Sequence, residues 1–312
     1  MSVRKSESGQ AFVLMALSLV VIIGMAALVV DVGNWYHTKR RLQATADAAA
    51  LAGAQRLPTD SVGAQAMALS YADKNGGDVA GADIAVTSTL QADDTIGVRA
   101  RKTDAGFFGS VFGIASASAD ISARAKARVG PPLKAKFVAP MVVFCNHPLI
   151  HNCDGDSTPD FGTDTTMDYD PMGAPGAFGM LNLDNGNGTP GSSDEAQWIL
   201  HGFNKYLGLG DYRSDPGAKF SSSNIQDALE ARKGTVLLFP VYRQLDGQGQ
   251  NASYEIIGWI GFHLTSYEVH GNNSTLHGYF TEFIAQGILS SPGGGGGGPS
   301  SSFGVKSIQL IE

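Results

Sequence analysis

Two cysteines, Cys145 and Cys153, are all that 312 residues contain. That is too few for a framework of several disulfides, though enough for one bridge. Charge is sparse as well, at 16%. Basic residues are the scarcer sign, and a net charge of −7 argues against a general nucleic-acid binder, which needs a basic footprint. Motifs for chemistry are also missing. The chain holds no G-x-S-x-G, no H-E-x-x-H, no P-loop and no dinucleotide-binding glycine fingerprint. His201, His263, His270 and His277 are scattered over expected helix, strand and loop. A sheet that brought His263 or His277 beside Glu268 or Glu282 would still lack a nucleophile or a metal pattern, so these read as core or surface histidines.

What the chain does have is one long uncharged run and many glycines, 40 of them. Residues 11–30 read AFVLMALSLVVIIGMAALVV, with Ser18 the one polar side chain. As a helix the run spans roughly 30 Å, the thickness of a bilayer core. Its twelve Leu, Ile, Val or Phe residues favour insertion by about −4 to −7 kcal/mol. A cleaved secretory signal would have a shorter apolar core and a small-residue site just beyond it. Here Asp31, Val32, Gly33, Asn34, Trp35 and Tyr36 follow, so a retained anchor is the better reading. Arg4 and Lys5 precede the run, and Lys39, Arg40 and Arg41 follow it. Counted alone, those basic residues slightly oppose an exported C-terminal part.

Beyond Val30, Val32, Trp35, Lys39, Leu42, Ala46, Ala49 and Gly53 recur every three or four residues and predict one helical face. The span therefore continues as a stem over residues 31–57, closed by Pro58. Its small residues suit close approach, either of the stem's own domain or of a partner helix. The stretch resembles the N-terminal region of TadG-like and TadE-like proteins of the Flp, or tight-adherence, pilus assembly system. The matching features are Gly9-Gln10-Ala11 before the run and Asp31-Val32-Gly33 after it, then Lys39-Arg40-Arg41-Leu42-Gln43 and the Ala46–Ala54 segment ADAAALAGA. The resemblance implies a bacterial envelope protein, single-pass in the inner membrane, with its bulk extracytoplasmic. One departure argues against processing as a pseudopilin: with a cut after Gly9, the position expected to be Glu is Leu14. The D-x-S-x-S motif of von Willebrand A domains, present in other TadG-like proteins, is absent as well.

The rest divides by charge. Residues 1–136 carry 15 Lys/Arg against 11 Asp/Glu, and residues 137–312 carry 7 against 18, as two modules with different surfaces would. The fold class expected is α+β. Residues 1–10 are a tail and residues 58–129 a small α+β module: a helix at 61–75, strands through Ile84, Val86 and Leu90 and through Ile96, Val98 and Ala100, a short helix around Phe107–Phe112, and a strand at 121–129 alternating with period two. Arg99, Arg101, Arg124, Lys126 and Arg128 form its basic face, either merely solvated or turned toward lipid or an acidic partner. Residues 130–136, with Pro131-Pro132, read as a linker. Residues 137–312 form a β-rich domain, with strands at 137–144, 235–242, 254–269, 276–289 and 304–311 and helices at 193–207 and 224–232 opened by Ser192/Glu195 and Ser223/Gln226. Trp198, Ile199 and Phe203 would face its core, and the glycine run 293–298 is a flexible segment.

Two segments of this domain are candidate sites. In CNHPLIHNC, residues 145–153, Cys145, His147, His151 and Cys153 sit symmetrically. A disulfide, a zinc site and free thiols are all open readings. In the acidic stretch that follows, Asp154, Asp156, Thr158 and Asp160 offer oxygens at alternate positions as calcium loops do, without the usual Gly and terminal Glu; an acidic solvated loop is the alternative. LDNGNGTPGSSDE, from Leu183, is a second calcium candidate of the same kind. Taken together the chain reads as a non-enzymatic, membrane-anchored component of a Tad/Flp-type pilus assembly or secretion system. It would contact lipid through residues 11–30 and other envelope proteins elsewhere, with no resident cofactor. A calcium- or ligand-binding surface module using residues 154–170 is the alternative class, and an envelope hydrolase built on a His/acid pair is the third.

Overall fold

A computed structural model describes residues 8–106, 118–151, 153, 158–170, 172, 178–184, 190–216, 220–270, 273–289 and 303–312. The chain forms two compact units. One comprises residues 1–88, 95–127 and 310–312; the other comprises residues 89–94 and 128–309. The last three residues thus belong with the first unit, although the sequence places them at the end of the C-terminal domain.

The first unit is built on α1 (Ser8–Ala54), one continuous helix of 47 residues, about 70 Å long at the standard rise. Its two halves differ in character. From Phe12 to Val30 the large apolar side chains are exposed, whereas Leu42, Ala46, Ala49 and Ala50 are fully buried. The short helix α2 (Ser61–Lys74) returns alongside, with Ala64, Ala68 and Ala72 buried at i, i+4 and i+8. Asp60 caps it by accepting from Gly63 N at 2.7 Å, which satisfies one of the free amides of the first turn. Strand β1 (Ile84–Thr87) pairs antiparallel with β2 (Thr95–Ala105), Val86 opposite Ile96 and Ile84 opposite Val98. β2 neighbours β3 (Ser118–Gly130). In β3, Ala123, Ala125 and Ala127 are buried while Arg124 and Lys126 are exposed, the half-buried alternation of period two. The C-terminus closes the unit: Ile311 N donates to Lys126 O at 2.8 Å, and Lys126 pairs with Glu312. Leu90 lies outside β1. It is in a turn whose amides at Thr89, Leu90 and Gln91 donate to the Asp94 carboxylate. The helix expected around residues 107–112 lies outside the described residues.

The second unit centres on a mixed sheet. Its long strands are β10 (Val236–Asp246), β11 (Ser253–His270) and β12 (Asn273–Thr281), antiparallel in succession. β6 (Asp164–Asp168) extends the β12 edge. β5 (Met141–Phe144) runs parallel to β10 and pairs with β7 (Phe178–Met180), while β9 (Gly210–Arg213) pairs with the start of β11. Both faces of β10 are covered. Leu237, Phe239 and Val241 join a cluster with Phe178, Phe220, Phe262 and Phe280, and with Ile225 and Leu229. Leu238 and Tyr242 join Tyr254, Ile256 and Trp259 on the other side. That is why the stretch TVLLFPVY is continuously apolar instead of alternating. The helices are α3 (Ser192–His201) and α4 (Ser223–Arg232). Trp198 is half-buried, Ile199 is buried, and Phe203 sits edge-on to Trp198 with ring centroids 5.4 Å apart.

Five local expectations change. The helix expected to reach residue 207 stops at His201, because Gly202 takes φ 71 and Phe203 exchanges backbone hydrogen bonds with the chain at Phe137 and Val138; a residue with φ > 0 ends a helix. The residues that cap the two helices are Gly191 and Ser222, each one position ahead of the expected serine. The strand expected at 137–144 begins only at Met141, since Phe137 itself has φ 61. Residues 132–135, within the expected linker, form β4 (Pro132–Ala135) between β8 (Leu207–Gly208) and β14 (Gly287–Leu289). The strand expected over 276–289 accordingly breaks into β12, the short β13 (Phe283–Ile284) and β14, and β13 pairs in parallel with β15 (Val305–Leu310).

Candidate functional site: the apolar helix, its stem and the cysteine loop

Among the described residues one helix, α1, is long and apolar enough to cross a membrane. Over residues 11–30 its side chains are exposed except at Ala27, with Phe12, Met15, Val20 and Leu28 among the most exposed. An exposed apolar cylinder of this length is stable in hydrocarbon and not in water. Ser18 satisfies its hydroxyl inside the helix, donating to Leu14 O at 2.7 Å.

Polar side chains take over directly after the run and bind the rest of the first unit. Asn34 Nδ2 and Thr38 Oγ1 donate to Asp104 at 3.1 and 2.6 Å. Lys39 Nζ donates to Ser122 O, and Gln43 Nε2 to Arg124 O at 2.9 Å. Arg41 pairs with Asp78 at 3.2 Å. The basic cluster after the span is therefore mostly committed to fastening strands and the α2–β1 turn onto the stem. Arg40, the third member, lies over the Tyr36 ring at 5.8 Å. Lower down, the small-residue face meets α2: a Cβ on Gly53 would stand 2.8 Å from Ala64 O and 2.6 Å from Ile96 Cδ1. The face formed by Leu42, Ala46, Ala49 and Gly53 is thus filled by the unit's own residues.

In the second unit the Cys145 and Cys153 sulfurs are bonded, with Cα atoms 4.8 Å apart, and a bonded pair offers no thiolates to zinc. The two histidines of the loop have different surroundings. His147 is buried: its ring stands edge-on to Phe280 at 5.0 Å, and Nδ1 accepts from Leu149 N at 3.1 Å. Burial lowers its pKa to about 4. His151 is exposed, at φ 78, with Nε2 3.2 Å from Asp160 Oδ1. Of the calcium candidates, Asp154 and Asp156 lie outside the described residues, while Thr158 and Asp160 are exposed. Residues 185–189 of the segment from Leu183 lie outside them as well. Asp168 accepts from Thr275 Oγ1 at 2.8 Å. Among the described residues no group of three or more His, Cys, Asp or Glu side chains is placed to hold a metal.

The sheet does bring one histidine to an acid. His277 Nε2 is 3.6 Å from Glu268 Oε1, and Nδ1 is 3.0 Å from Thr166 Oγ1. The hydroxyl was not foreseeable, because the pairing of β6 with β12 sets Thr166 opposite His277 across more than a hundred residues. The carboxylate is beyond hydrogen-bonding distance, and Glu268 and Thr166 are both exposed, so the row lacks the enclosure that activates a nucleophile. His263 stacks on Tyr279 at 4.7 Å, and His201 occupies the last turn of α3.

No curated protein and no solved structure matches the chain. The span and stem together, residues 9–56, match the family model of putative Flp pilus-assembly TadE/G-like proteins, and the N-terminal region of this chain is TadE/G-like.

Proposed function

We propose that this chain is a non-enzymatic component of a Tad/Flp-type pilus assembly or secretion apparatus. Residues 11–30 hold it in the inner membrane, its second unit lies outside the cytoplasm, and it works by anchoring or assembling partner envelope proteins. The observation that carries this reading is coincidence: the TadE/G-like match falls on α1, the helix fit to cross a bilayer. The bonded cysteine pair favours an oxidising compartment for the second unit. The basic flank at Lys39, Arg40 and Arg41 points the other way, but Lys39 and Arg41 serve the fold of the first unit, which supplies a structural reason for their presence.

Deleting the gene in its host is expected to abolish surface pili and adherence, with recovery on complementation; normal pili in the deletion strain would remove the proposal. Fusion of alkaline phosphatase after Glu312 tests the orientation separately, and an inactive fusion would reverse it.

A further inference from the structure

We propose that a cleft in the second unit binds a carboxylate carried on a small apolar body: Lys136 and Arg232 hold the carboxylate, and the apolar part enters between Phe137 and Ile284.

The cleft lies wholly within the second unit and has a volume of about 330 Å³, at the small end of the range for ligand pockets. The chain just after β4, the last turns of α3 and α4, the start of β10 and the stretch from β13 onward supply its walls. Ala139, Ile199 and Leu237 give it a buried apolar lining, and Phe137 and Ile284, 43 and 45% exposed, stand in water beside them. No Asp or Glu is among the described residues that line it, whereas Lys136 and Arg232 both do.

These two cations are not matched by acids. Lys136 Nζ rests over the Phe137 and Tyr206 rings at 5.0 and 5.9 Å. Arg232 is half-buried, and its Nη2 donates to Val236 O at 2.6 Å. Among the described residues neither pairs with a carboxylate. A charge drawn partly out of water without a counter-charge costs free energy, which a bound anion returns. Gln286 lines the same cleft and has an amide free to turn and donate.

The charge balance selects a monoanion. α3 and α4 both end at the cleft, and a helix C-terminus carries roughly −0.5 of an elementary charge. Two such ends offset about one of the two cations and leave about one positive charge. One carboxylate matches that remainder, and a phosphate dianion exceeds it. The backbone of the wall is itself uncommon. Phe137 has φ 61, which is rare for a bulky residue. A Cβ on Gly202 would stand 2.4 Å from Phe137 C and O, so a glycine is what lets the end of α3 close on this strained turn. Strain of this kind persists where packing enforces it and is concentrated at ligand sites.

The test is fluorine NMR on the full chain in lipid nanodiscs, with empty nanodiscs as the baseline. 4-Fluorophenylacetate is the probe, 4-fluorophenylacetamide its uncharged counterpart and 4-fluorophenyl phosphate the dianion. The acid is expected to show saturable line broadening at millimolar concentration, relieved by unlabelled phenylacetate, and the amide none. Lys136→Gln is expected to weaken binding about tenfold, the effect of removing one charge-assisted hydrogen bond, with the melting temperature unchanged. Lys233→Gln, whose side chain pairs with Glu230 and does not line the cleft, is expected to leave binding as it is. Equal broadening of acid and amide, no saturable broadening, tighter binding of the phosphate, or the same affinity in the two lysine variants would each overturn the proposal. N-acetyl-4-fluorophenylalanine separates the two sources of this chemistry. If it binds as the acid does, the site accepts the C-terminus of a polypeptide; if the acid alone binds, the site takes free small acids. Either result upholds the carboxylate site.

Discussion

His147 shows how one residue's surroundings set its chemistry. Its ring is 2% exposed, and the Leu149 amide donates to Nδ1, an arrangement that suits the neutral imidazole with its proton on Nε2. Burial moves its pKa from 6.5 to about 4. In the unfolded chain the group binds a proton below about pH 6.5, but in the folded chain only below about pH 4. Stability is therefore full above pH 6.5, falls as pH drops through that window, and levels off below it. The loss amounts to up to about 3 kcal/mol at roughly 1.4 kcal/mol per pH unit. Thermal melts of the wild type between pH 7 and 4 are expected to show this slope, and His147→Leu to flatten it; an unchanged slope in the variant would disprove the assignment. The sequence shows His147 and His151 as symmetric between the cysteines. The positive φ at His151 breaks that symmetry by turning the chain, leaving one ring in the core and the other beside Asp160.

Among the elements, α1 and α2 illustrate what small residues accomplish. Ala64, Ala68 and Ala72 present no long side chains, and Gly53 presents none at all, so the two helices approach until backbone meets backbone at Ala64 O. Gly53→Val would restore some helix propensity, worth about 0.5 kcal/mol. Its side chain would nevertheless collide with Ile96 and with a carbonyl that cannot rotate away. The expected net loss is about 1–3 kcal/mol, read as a lower melting temperature of the full chain in detergent; an unchanged melt would show that the helices separate without cost. The small-residue periodicity was readable along the chain, and so was the existence of a helix there. Whether α2 or a foreign helix would fill the face was not, because both satisfy the same steric requirement. Among the strands, β11 was legible over nearly its whole length, whereas β4, β13 and β14 were not. Segments of two to four residues are held by pairing with distant partners such as Lys134 with Gly208 and Ile288, not by a pattern of their own.

For the molecule as a whole, the cysteine pair reports on compartment. The closed loop is short, so the bond is worth about 2.5 kcal/mol on the chain-entropy argument, and Cys145→Ser with Cys153→Ser is expected to lower stability by about that amount. In intact cells, mass-tagging of thiols should leave the full chain unmodified until reductant is added, after which two tags appear. Two tags without reductant would place the loop in a reducing compartment and contradict the proposed orientation.

The sequence by itself determined the long apolar helix, its continuation with a small-residue face, the TadE/G-like region and the α+β class. These depend on composition and short-range periodicity: transfer of an uncharged run into lipid, a 3.6-residue repeat and a two-residue alternation need no knowledge of distant partners. Only the tertiary structure decided what covers the stem, which loop histidine is buried, where α3 stops and which hydroxyl meets His277. Each of those depends on a contact between residues far apart in the chain, and the free energy that selects such a contact resides in packing that no local pattern encodes.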